Sequence, residues 1–93
     1  MLVKKDMSLT PAEFRNGLPA ALRGLDWQVG ADDTVTVDDG AVLIRCVVQP
    51  PRRLTALLSL PRCLVTLELG GLPEADRAGF LARFDRAFQR GGG

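Results

Sequence analysis

Three sets of side chains in this sequence have the types and spacing to do chemistry. They are two thiols, Cys46 and Cys63, two aspartate pairs, Asp32-Asp33 and Asp38-Asp39, and the arginines Arg45, Arg52, Arg53 and Arg62. A thiol is reactive when it is exposed beside a cation or a helix N-terminus. By strand alternation both cysteines fall on an inward face, where a thiol behaves as a small apolar side chain. The neighbouring Arg45 and Arg62 point to the opposite face. The aspartate pairs could face a cation, but the four residues between them, if extended, hold the pairs more than ~13 Å apart. The Asp-x-Asp-x-Asp-Gly spacing of a calcium loop is absent, and turn formation accounts for acids placed this way. The arginines suit phosphate or a partner's carboxylates. No aromatic residue is interleaved with them, so they offer no stacking platform for single-stranded nucleic acid.

The 93 residues include no histidine and no tyrosine. Without histidine the chain lacks the commonest general base and the commonest metal ligand. Two cysteines alone build neither a structural zinc site nor a disulfide framework. No cofactor and no metal are implied, and enzymatic chemistry is disfavoured. The net charge of +1 gives no global attraction to nucleic acid. The charges are nevertheless sorted. Five acids and no base lie between Asp26 and Gly40, whereas four arginines and Glu68 lie between Ala41 and Gly70.

The elements that must position these groups follow from local pattern. Residues 1–7 are expected as a disordered lead-in without a secretion signal, residues 8–90 as one domain, and 91–93 as a flexible glycine tail; Met7 is an alternative start. Thr10-Pro11-Ala12-Glu13 reads as a capping box opening a helix, with Phe14, Leu18 and Leu22 on one face. Pro19 predicts a kink, or a break near Gly17. Strands are expected at 27–29, 34–37, 41–49, 54–58 and 63–69. Asp38-Asp39-Gly40 forms a tight turn, and Pro50-Pro51 ends a strand. From Pro73 onward, acids near the start, arginines near the end and the stripe Phe80, Leu81, Phe84, Ala87, Phe88 predict an amphipathic helix. The fold class is therefore α+β: an antiparallel meander of four to five strands, with a kinked or broken N-terminal helix and the C-terminal helix packed on one face.

On this reading Val42, Ile44, Cys46 and Val48 face the core, together with Cys63, Val65, Leu67 and Leu69, and Leu54, Ala56 and Leu58. The other face carries Leu43, Val47, Leu57 and Leu64 among Arg45, Thr55, Thr66 and Glu68, which is apolar for a face meant for water. These residues, with Arg52, Arg53 and Arg62, are the candidate interaction surface.

The chain ends Gln89-Arg90-Gly91-Gly92-Gly93, and its terminal glycines resemble those of ubiquitin-like modifiers and sulfur-carrier proteins. The resemblance implies a carrier activated at Gly93. It covers these few residues, and in that family the tail follows a strand rather than a helix. A glycine helix cap explains the same residues. The first functional reading is a non-enzymatic interaction or assembly module that binds a protein or a second copy of itself in the cytoplasm, without membrane or nucleic acid. The alternatives are the carrier and a small enzyme.

Overall fold

A computed structural model describes residues 1–92, with side chains through Gln89. Five strands form one antiparallel sheet: β1 (Leu2–Met7), β2 (Trp27–Val29), β3 (Val35–Val37), β4 (Val42–Arg53) and β5 (Ser59–Glu68). Their order is β1-β5-β4-β3-β2, so β2 to β5 make a meander and β1 adds to its far edge. Two helices, α1 (Pro11–Ala21) and α2 (Glu74–Gly92), complete the α+β fold.

The local signals act as the sequence requires. Thr10 Oγ1 accepts from the Glu13 N–H at 3.1 Å, and Glu13 Oε1 accepts from the Thr10 N–H at 3.0 Å, closing the capping box. Between β3 and β4 the chain makes a 3₁₀ turn, Asp38–Gly40, with φ of 49°, 58° and 102°. Aspartate and glycine are the residues that tolerate this left-handed run. At the same end Gly71 donates to the Ala41 carbonyl at 3.1 Å. A Cβ on Gly71 would stand 2.5 Å from Ala41 Cα, so this approach of two backbones demands glycine.

The core lies between one sheet face and the two helices. Val35, Val37, Val42, Ile44, Cys63, Val65 and Leu67 supply the sheet side, and Phe14, Leu18, Phe80, Phe84 and Phe88 the helical side. All four phenylalanines stand in one file. Ring centroids are 6.5 Å apart from Phe80 to Phe84, 4.7 Å from Phe84 to Phe88, and 5.7 Å from Phe88 across to Phe14 on α1. The helices meet closely at this crossing, for a Cβ on Gly17 would lie 2.5 Å from Phe88 Cε1.

Four expectations are corrected. Residues 1–7 are not a disordered lead-in: Leu2 to Met7 pair with Glu68 to Cys63. Val3 and Met7 pack against the core, and the inward Lys5 reaches Asp85 at 2.8 Å while its stem covers apolar surface. The break near Gly17 does not occur, because α1 is continuous through Pro19. Burial of Phe14, Leu18 and Ala21 outweighs the local cost of proline. Leu54 to Leu58 is not a strand but the tip of the β4–β5 hairpin, and β4 runs through Pro50-Pro51 to Arg53. Between the pairs Gln49–Arg62 and Arg52–Leu60, these two prolines oppose the single residue Pro61, so the missing N–H groups fall at a bulge. Finally, α2 continues to Gly92, which places the glycines at 91 and 92 in a helical turn; Gly93 lies outside the described residues.

The file of rings gives a direct test of this packing. Phe84 is wholly buried, and Phe84→Ala should lower stability by ~3–5 kcal/mol, since the core can only partly collapse around the cavity. Thermal unfolding that starts from an unchanged midpoint would contradict the packing of α2 on the sheet.

Candidate functional site

β4 and β5 outrun the rest of the sheet. The pairing of β3 with β4 stops at Ile44, and that of β1 with β5 stops at Cys63. Residues 49–62 therefore form a two-stranded arm with no strand on either side. Its tip is a closed turn: the Leu54 and Thr55 N–H groups donate to the Leu58 carbonyl at 2.9 and 3.2 Å, and the Leu57 N–H donates to Thr55 Oγ1 at 3.2 Å. Turns usually carry glycine, proline, asparagine or aspartate. This one presents Leu54, Leu57 and Leu58, of which Leu57 is 99% exposed. Val48, whose side chain faces the helix side, is 64% exposed because no helix reaches it. Prolines 50, 51 and 61 remove three N–H donors from the arm, which discourages another strand from adding along its edges.

The base of the arm is held by charge. Arg62 makes a two-pronged contact with Asp6 of β1, Nε to Oδ1 at 3.2 Å and Nη2 to Oδ2 at 2.7 Å. Arg52 reaches the same carboxylate at 3.8 Å. The hydrogen bond from Arg62 holds the Asp6 carboxyl below its ordinary value of 3.8, and the same bond raises Arg62. Farther along the sheet, Arg45 donates to Thr34 Oγ1 at 3.1 Å and to Asp32 at 3.4 Å. The Thr34 N–H and hydroxyl both donate to Asp32, and the backbone bond is the main reason its pKa lies low. Asp32 is thus a turn residue, as is Asp38, which accepts from the Asp26 N–H at 3.3 Å.

The candidate surface is only partly one place. Leu43, Arg45, Val47 and Leu64 do share the outer sheet face, but Leu64 is half-buried, and the row Lys4–Thr66–Arg45 separates Leu43 from Val47. Leu57 stands apart from this face, at the arm tip. Arg52 and Arg53 flank the tip, and Arg62 is locked to Asp6. Among the described residues no carboxylate pairs with Arg53. Sequence alternation missed the exposure of Val48, Leu54 and Leu58, which it placed on the core face. The available signal was the placement of Pro50-Pro51 and Pro61 on either side of residues 54–58.

The thiols lie where alternation put them. Cys63 is buried and Cys46 half-buried. Burial first, and then a contact with Cys63, pushes the Cys46 thiol up to about 12, the opposite of an activated nucleophile. Among the described residues no group of three or more acids and cysteines could hold a metal ion, and no helix is long and apolar enough to cross a membrane. No family model, no curated protein and no solved structure matches the chain.

The clamp at Asp6 has a defined pH signature. Because the folded carboxyl titrates below its ordinary value, its contribution is fully present above that value and is lost as pH falls through the folded one. A carboxyl titration followed by NMR should place Asp6 below 3.8, and Arg62→Gln should move it back upward. A wild-type midpoint at or above 3.8 would remove the clamp.

Proposed function

We propose that this chain is a non-enzymatic protein-interaction and assembly module of the cytoplasm, and that the β4–β5 arm is its binding element. The observation that carries the reading is the exposed apolar end of the arm, Leu54, Leu57 and Leu58 at the tip. Clustered apolar exposure of this kind marks an interaction site rather than ordinary surface scatter. The hydrogen-bonded turn presents the leucines in a set conformation, which lowers the ordering cost of binding.

The dimensions support the same reading. The accessible surface is 6025 Å² for 10.0 kDa, whereas a monomer of that mass exposes about 5,200 Å². The radius of gyration of 13.7 Å likewise exceeds the ~12.3 Å of a compact chain of this length. The partner is a protein, a second copy of the chain included. A nucleic-acid role draws little from the arginines, since Arg45, Arg52 and Arg62 already face Asp32 and Asp6.

A photo-reactive side chain placed at position 57 should give a discrete protein adduct in the native cell, while the same group at the exposed position 16, on α1, should not. Adducts absent at 57, or equal at both positions, would overturn the assignment of the arm.

A further inference from the structure

The end of the molecule opposite the arm carries a feature that complements the tip. There a cleft of about 250 Å³ opens between the sheet and the first turns of α2. Half-buried Leu25 and Leu72 give it apolar walls above the buried Val37, Val42 and Phe80. Asp38 and Asp76 line it as well, and among the described residues no ion pair engages either. Arg83, also on the lining, donates to the Arg23 carbonyl. Asp26 and Asp39, from the same acidic stretch, border a neighbouring hollow. At Gly79 an added Cβ would meet nothing within 4 Å, so the cleft is open there.

Val42 in the cleft and Arg53 beside the tip are the two ends of β4, about 35 Å apart at strand rise. One chain therefore cannot place its own tip in its own cleft. The tip offers an exposed leucine beside Arg53, and the cleft offers an apolar floor with Asp76 at its edge, its one lining cation, Arg83, being turned to the Arg23 carbonyl.

We infer that the partner of the arm is a second copy of this chain, whose cleft receives Leu57 while its Asp76 faces Arg53. The inference rests on the arm being a binding element and adds the occupant and the geometry. Two arms laid against each other would instead bring arginine against arginine, which like charge disfavours. A tip-to-cleft contact joins different surfaces of the two chains, so it leaves one tip and one cleft free. It propagates head to tail, into a ring if the rotation closes and a filament if it does not. Apolar burial supplies the affinity, and the exposed charges set orientation and weaken with salt.

The test is complementation between two variants. Leu57→Glu destroys the tip and keeps the cleft. Gly79→Leu fills the cleft and keeps the tip, at a helical position where leucine is favoured over glycine. In sedimentation velocity the wild type should show species growing with concentration. Each variant alone should associate at least roughly ten- to a hundredfold more weakly, the loss of one buried leucine. Their mixture should form a 1:1 dimer that does not grow further, and circular dichroism should show both variants folded. A wild type that stays monomeric at hundreds of micromolar overturns the second-copy inference, while an adduct to a different protein at position 57 would leave the arm's binding role intact. A closed wild-type dimer untouched by Gly79→Leu, or two folded variants that fail to combine, overturns the tip-to-cleft geometry. Should Gly79→Leu unfold, Asp76→Arg in its place should weaken wild-type assembly, and unchanged assembly would count against the cleft.

Discussion

The structure depends on how far two helices can cover one sheet. A helix advances about 1.5 Å per residue and a strand about 3.3 Å. The 19 residues of α2 thus span about 28 Å and the 11 residues of α1 about 16 Å, against about 40 Å for the 12 residues of β4. Apolar cover must end before the strand does. It ends near Cys46 and Cys63, where the file of phenylalanines and the start of α1 run out. On β4 and β5 every inward residue up to that level is buried or half-buried, and the next on β4, Val48, is exposed. The body and the arm are two consequences of one mismatch in length.

That mismatch sets the chemistry available to the protein. Within the body, polar and reactive groups are neutralised by their surroundings. Burial raises the Cys46 thiol, Asp32 and Asp38 accept hydrogen bonds from backbone N–H groups near turns, and Asp6 takes up Arg62. Outside the body, apolar side chains are presented on hydrogen-bonded backbone that lacks three N–H donors at its prolines. An exposed two-stranded ribbon is an aggregation hazard if its edges are open and flat. Here the bulge and the prolines interrupt the edges, and the exposed leucines are gathered at the tip. Asp38 and Asp39 end up at one end of the molecule and Arg52 and Arg53 at the other, because β4 carries the chain between them, whereas Asp32 stays beside Arg45.

Much of the body was legible in the sequence because its signals are local. The capping box, the Asp-Asp-Gly turn and the stripe on α2 each lie within one element, and each appears where the spacing puts it. What was not legible depended on partners distant in sequence. β1 is a strand only because β5 lies beside it, some 60 residues later, and its lysines and aspartate masked the alternation of Val3 and Met7. Continuity of α1 depends on burial that offsets Pro19. The arm was obscured for a related reason: alternation says which face a residue shares, but not where the cover over that face stops. Leu54 and Leu58 therefore read as core, and Leu57 as part of a sheet face, although all three are the tip of a turn.

The central claim, that the arm tip of one chain meets the far end of another, is open to a direct distance measurement. A spin label at Thr55, beside the tip, on unlabelled chains can be mixed with isotope-labelled chains that carry no spin label. The cleft lies about 35 Å from the tip along β4, too distant for a label to act within one chain. The account predicts that amides of Leu25, Leu72 and Gly79 in the isotope-labelled chains broaden in the mixture, and recover when Leu57→Glu is present on the spin-labelled partner. Broadening confined to the arm of the second chain, or none at all, would contradict it.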